Sequence, residues 1–133
     1  MSSIFTKIIN RQIPAFVIAE DNDNIAFLDI NPLSIGHALV VPKKEEDYLF
    51  DLDDDKFMSL NLFAKKVARA LKVVTGKRIG TMVMGLEVPH AHIHLIPFTQ
   101  MSELNFANPK LELTNEVFAG TAAEIGKAFD SLN

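Results

Sequence analysis

Apolar residues recur at two different periods along the chain, and each change of period predicts an element. Ile4, Phe5, Ile8 and Ile9 fall at helical spacing, which predicts a short first helix, capped by Ser2 or Ser3 and over by Ile13-Pro14. Two short apolar runs follow, Phe16 to Glu20 and Asn24 to Asp29, separated by Asp21-Asn22-Asp23. Asp and Asn side chains bond their own backbone in turns, so the pair predicts a β-hairpin. Ile30-Asn31-Pro32 opens a loop, and His37 to Val41 predicts a third strand, stopped by Pro42 because proline has no N–H to give a ladder.

Beyond the acidic stretch Glu45 to Asp55 the period becomes helical again. A helix is predicted from about Asp54 to Thr75, with Leu60, Ala64, Val67, Leu71 and Val74 on one face and Lys65, Lys66, Arg69 and Lys72 elsewhere. Gly76 supplies its stop. The carboxylates ahead of it suit the positive end of a helix dipole, so the acidic run reads as a solvated helix start without a catalytic part. Arg78 to Met84 and Ala91 to Ile96 predict two further strands, and Thr114 to Leu132 a second long helix with Phe118, Ala122, Ile125, Phe129 and Leu132 inward. The segment Pro97 to Leu113 shows neither period. Strands joined by short turns, with helices added rather than interleaved, predict an α+β fold: an antiparallel sheet of about five strands with two main helices.

Composition narrows the function classes. A chain of 133 residues, 48% hydrophobic and 23% charged, is long enough for one compact domain spanning 1–133 and too apolar for disorder. A net charge of −4 and a pI near 5.5 offer no global attraction to long nucleic acid or to an anionic membrane, although a local basic site could still hold phosphate. The absence of cysteine excludes disulfides, thiolate nucleophiles and cysteine-ligated metal sites. No basic stretch leads into a long apolar one, and no run approaches the roughly 20 apolar residues of a membrane span, so a cytoplasmic location is expected.

Three of the four histidines fall in His90-Ala91-His92-Ile93-His94. On a strand, these three imidazoles share one face while Ala91, Ile93 and Leu95 share the other, so one face can pack and the other can do chemistry. Stacked imidazoles add little to a core and repel one another when protonated, which disfavours a purely structural triplet. Two chemistries remain open on the residues alone. The three rings could ligate a catalytic zinc with one position left for water, or the central ring could be a nucleophile that its neighbours orient.

The run His90 to Ile96 resembles the signature of the histidine-triad family, His-x-His-x-His followed by two apolar residues. Upstream, Ile4-Phe5, Lys7-Ile8-Ile9, Ile13-Pro14, Glu20-Asp21, Ala26-Phe27, Asp29-Ile30, Pro32, and His37 followed by Val40, Pro42, Lys43 and Lys44 resemble its Hint-like branch, over residues 3 to 97. The resemblance implies a homodimer that hydrolyses or transfers at the α-phosphorus of purine nucleoside phosphoramidates, acyl nucleotides or dinucleoside polyphosphates. It implies that His92 forms a covalent nucleotidyl-histidine, that the carbonyl of His90 holds the Nδ1 proton of His92, that His94 contacts the phosphate and that His37 supports the cluster. Asp29 would accept from the ribose hydroxyls, and Ile4, Phe5, Ile8, Ile13, Phe27 and Ile30 would wall the base. No cofactor is expected.

Two departures qualify what the resemblance implies. Leu86 and Glu87 stand where family members commonly carry glutamine and a hydroxyl residue, so Glu87 either points away from the phosphate or favours a cationic leaving group. Some bacterial relatives hold structural zinc through two cysteines, a histidine and the first triad histidine. Here Ser3, Thr6 and Glu45 occupy the first three of those positions, so no metal is expected. The rival to an enzyme is a nucleotide-binding regulator or scaffold that keeps the pocket without useful turnover.

Overall fold

The computed structural model describes residues 3–132. A five-stranded sheet is built from β1 (Val17–Glu20), β2 (Asn24–Leu28), β3 (Ala38–Pro42), β4 (Arg78–Met82) and β5 (Ile93–Phe98), in the order β1-β2-β3-β5-β4 with every pair antiparallel. Two long helices, α2 (Asp54–Thr75) and α3 (Asn115–Ser131), pack on one face. The short helix α1 (Ile4–Ile9) packs on the other. The fold is α+β, as the alternation of periods predicts.

The strands in the middle of the sheet are apolar on both faces because both faces are covered. Along β2, Ala26 and Leu28 join the core under α2 and α3, whereas Ile25 and Phe27 join a second cluster with Phe5 and Ile8 of α1. β3 divides in the same way, with Ala38 and Val40 on one side and Leu39 and Val41 on the other. Each fully buried side chain of this size contributes about 1.5–3 kcal/mol, so the second cluster, through Phe5 and Ile8, holds in place the short α1 that could not persist alone.

The ends of the helices follow their capping chemistry. Ser3 accepts from the Thr6 N–H at 3.1 Å at the start of α1; the alternative cap, Ser2, lies outside the described residues. Asp53 caps α2 by accepting from the Lys56 N–H at 2.8 Å, and Gly76 closes it at φ 68°, a left-handed conformation that disfavours any residue with a Cβ. The inward stripe of α2 also includes Phe63 and Ala70, which widen it beyond the predicted five positions.

β1 begins at Val17 rather than Phe16, and β2 ends at Leu28 rather than Asp29. β3 runs from Ala38 through Pro42, which pairs with Asn24 instead of stopping the strand, because the last residue of a ladder can end it without donating. The other two strands depart further. β4 stops at Met82 instead of Met84, ahead of a turn at Gly85 with φ 76°. β5 begins at Ile93 rather than Ala91, so His90 and His92 precede the ladder. The cause is competition from other partners: the imidazole of His90 takes the Pro42 carbonyl, the imidazole of His92 takes the His90 carbonyl, and the Ala91 N–H goes to the backbone carbonyl of Glu46 in the loop after β3. The expected separation of faces nonetheless holds, since Ala91, Ile93 and Leu95 all enter the core under the helices. β5 then continues through Pro97, past the end of its pairing with β3 at Leu95.

Candidate active site

A cavity of about 520 Å³ opens on the α1 face of the sheet, within the range of small-molecule sites. Phe5 and Ile8 from α1, Ile13 after it, and Phe27 from β2 give it an apolar wall, with Ile4 and Ile30 exposed at its edge. Asp29, Glu87, His92 and His94 are its polar lining among the positions singled out in the sequence. His37 and His90 are buried behind that lining rather than in it.

The histidines sit in a chain of hydrogen bonds whose partners fix their tautomers. The Leu33 N–H donates to His37 Nδ1 at 3.0 Å, so in the neutral ring the proton is on Nε2. His37 Nε2 lies 2.9 Å from His94 Nδ1 and donates to it, which leaves His94 with its proton on Nε2. His37 and His94 meet because the register Ala38↔Leu95 makes them diagonal neighbours on adjacent strands. For His92, Nδ1 lies 2.7 Å from the His90 carbonyl, an acceptor only, so Nδ1 carries the proton and Nε2 keeps its lone pair. The Phe5 and His92 rings meet edge to face, with centroids 5.0 Å apart.

Asp29 stands at the end of β2, where its N–H donates to the His37 carbonyl at 2.9 Å. Its Oδ1 accepts from the Asn31 N–H at 2.8 Å, and Oδ2 lies 3.6 Å from His37 Nε2. Burial raises its pKa, and the Asn31 bond works against that rise. Asp29, His37 and His94 form a group whose ligand atoms lie within 4.8 Å of one another, yet both nitrogens of His37 are already engaged within the chain of hydrogen bonds. The three rings of the histidine run do not converge on a common point: His90 uses Nε2 for Pro42 and Nδ1 for Ser3, and His94 turns to His37.

Ser3, Thr6, Glu45 and His90, the positions where the resemblance would put zinc ligands, come together as a hydrogen-bonded cluster. The Ser3 hydroxyl lies 2.7 Å from His90 Nδ1, while the Ser3 N–H and the Thr6 hydroxyl both donate to Glu45 Oε1 at 2.6 Å. Two hydroxyls, one carboxylate and an imidazole already bonded at both nitrogens do not fit a tetrahedral zinc site built on thiolates and imidazoles. Instead the cluster fastens the start of α1 to the loop after β3 and locks the ring whose carbonyl holds His92.

Phe106 and Lys110 also line the cavity, and sequence reasoning missed both. They come from the stretch without a period, which is irregular apart from a 3₁₀ turn at Met101–Glu103 and is tied to the Asp29 loop by the Leu111 N–H bond to Pro32 at 2.9 Å. Phe106 packs its ring against His94 at 4.9 Å and against His37 at 6.0 Å. Met84, Gly85, Leu86 and Val88 complete the side where Glu87 is exposed without an ion-pair partner among the described residues.

Burial lowers the pKa of His37 to about 4 and of His94 to about 3, with the Lys110 charge assisting at His37 and the neighbouring imidazoles at His94. Both rings are therefore neutral near pH 7. An unfolded chain would bind protons at about 6.5, so stability from these rings is complete above pH 6.5 and lost as pH falls toward 4 and then 3. Glu45, pulled down to about 2 chiefly by the Ser3 N–H, contributes above its ordinary 4.5 and loses that contribution toward pH 2. His94→Asn keeps an acceptor for His37 but cannot titrate. Urea unfolding at a series of pH values should give this variant a shallower loss of stability between pH 6.5 and 4 than the parent; an unchanged slope would contradict the assignment.

Comparison with known proteins places this architecture. The family model described as the HIT domain matches residues 10–101. An uncharacterized HIT-like protein of Borreliella burgdorferi is 36% identical over 131 residues, covering 92% of this chain and 94% of that protein. An adenosine 5'-monophosphoramidase of Saccharomyces cerevisiae is 40% identical over 96 residues, covering 71% of this chain and 61% of its own. Among solved structures, a HIT-like protein from Bartonella henselae involved in cell-cycle regulation superposes with a TM-score of 0.83 at 32% identity, covering 96% of both chains. With a matching family model over most of its length and a relative of this identity along nearly all of it, the chain belongs to the HIT family.

Proposed function

We propose that this protein is a nucleotide hydrolase or transferase acting at the α-phosphorus of purine nucleoside phosphoramidates or dinucleoside polyphosphates, with monophosphoramidates foremost. The observation that carries the reading is the 2.7 Å bond from His92 Nδ1 to the His90 carbonyl. It commits Nδ1 to a proton and leaves a lone pair on Nε2 of a ring that lines the cavity. Similarity to the yeast adenosine 5'-monophosphoramidase supports the substrate class.

In this reading, His92 Nε2 attacks phosphorus and forms a P–N bond while the bond to the leaving group breaks, the departing amine or phosphate taking up a proton. Water then attacks the nucleotidyl-histidine, a hydroxyl acceptor giving transfer instead, and the ring is returned with its Nδ1 proton in place. His94, neutral and protonated at Nε2, donates to the phosphoryl oxygen, while His37 and His90 hold their neighbours in register without touching substrate. Asp29 accepts from the ribose, and the wall of Phe5, Ile8, Ile13, Phe27 and the exposed Ile4 and Ile30 takes the base. Neither a metal nor a cofactor enters these steps.

The same proposal includes a homodimer and a cytoplasmic location. β4 is an edge strand with no partner beyond it in this sheet, and an unpaired edge is a site for a second copy to extend the ladder. Among the described residues, no helix is long and apolar enough to cross a membrane. A strictly monomeric protein by light scattering at micromolar concentration would count against the dimer.

His92→Ala should lower turnover of adenosine phosphoramidate by at least about 10³-fold with little change in AMP affinity, since base and ribose contacts lie elsewhere. Rapid-quench mass spectrometry should find the nucleotidyl group on His92 of the parent; an adduct on His90 or His94 would sink the mechanism. Absence of turnover across phosphoramidates, dinucleoside polyphosphates and acyl-adenylates, with AMP still bound, would favour a nucleotide-binding regulator. In the same panel Glu87→Ser should change the relative rates for amine, phosphate and acyl leaving groups. Equal effects on all three would reduce Glu87 to a loop residue.

A further inference from the structure

Among the described residues, Lys110 is the one lysine or arginine in the cavity lining. Its side chain is half-buried, and its Nζ donates to the carbonyls of Phe106 and Asn108. An ammonium has three N–H donors, so among the described residues one proton remains uncommitted. Phe106, whose ring centroid is 5.8 Å from that Nζ, rests on His94, and the next residue, Leu111, is bonded to Pro32. Lys110 is thereby tied to the segment that packs on His94 and bonds the Asp29 loop, with its side chain half-buried at the cavity lining.

The cavity has need of such a charge. His37 and His94 are neutral at pH 7, so neither offers a formal positive charge to an anion. Asp29 and Glu87 both bring carboxylates to the lining, and like charges at close range repel. A nucleotide phosphate entering beside two carboxylates requires a cation, and Lys110 is the lysine or arginine in the lining. Its field already reaches this region, since it acts on both Asp29 and His37.

We propose that Lys110 is the phosphate-binding cation of the site, exchanging its bonds to the Phe106 and Asn108 carbonyls for an ion pair with the anionic phosphoryl oxygen of the bound nucleotide. The proposal rests on the nucleotide reading above and adds to it the group that recognises charge. Phe106 then serves as the prop that keeps the lysine over the histidine pair. Recognition of charge and of the nucleoside are thus divided between the irregular segment and the α1 face.

Calorimetric titration with AMP and with adenosine separates the two. Lys110→Gln should weaken AMP binding about tenfold, the scale of one charge-assisted hydrogen bond, and leave adenosine binding unchanged. Lys110→Arg should restore most of the AMP affinity, and the difference between parent and Lys110→Gln should shrink with added salt. Equal losses for AMP and adenosine, or no loss for either in a variant that melts like the parent, would overturn the role of Lys110 while leaving the nucleotide reading in place. Failure of the parent protein to bind AMP at all would overturn both.

Discussion

A neutral imidazole has one proton for two nitrogens, and the site is organised around where His92 keeps it. The His90 carbonyl is placed to accept from Nδ1, and that carbonyl is itself fixed because the His90 ring is bonded at both nitrogens, to Pro42 on β3 and to Ser3 at the start of α1. Glu45 draws Ser3 and Thr6 together and closes the brace. The short first helix therefore does two things: it supplies Phe5 and Ile8 to the cavity wall, and it holds the ring that holds the central histidine. Its own stability comes from tertiary packing and from this cluster.

A second consequence concerns charge. Burial keeps His37 and His94 neutral, and neutrality lets one ring donate to the next in a directed chain that starts at the Leu33 N–H and ends at the cavity. Protonating His94 at Nδ1 would set it against the His37 Nε2–H at 2.9 Å, and protonating His37 at Nδ1 would set it against the Leu33 N–H at 3.0 Å. The same neutrality means that neither His37 nor His94 brings a formal positive charge to the site. The irregular segment that packs Phe106 on His94 carries Lys110.

Much of this was legible in the sequence because it rests on period and spacing. The short apolar runs of β2 and β3, the stripe on α2 and the three imidazoles two residues apart are local properties of the chain, and α2 runs over the expected Asp54–Thr75. Resemblance supplied the proximity of Asp29 and His37 to the run, which no local pattern encodes; in the structure it follows from strand register, with Asp29 and His37 just beyond the Leu28↔Ala38 pair. What could not be read was tertiary. Phe106 and Lys110 reach the cavity through a segment without a period, anchored by one backbone bond to Pro32. The late start of β5 reflects backbone carbonyls captured by imidazoles, a competition invisible until the rings are placed.

The central claim is the assignment of protons among the four histidines, and imidazole nitrogen-15 NMR reads it directly in the nucleotide-free protein. In the neutral form of each ring, the account predicts the proton of His92 on Nδ1 and those of His37, His90 and His94 on Nε2. A His92 ring protonated at Nε2 instead would leave no lone pair facing the cavity and would contradict it.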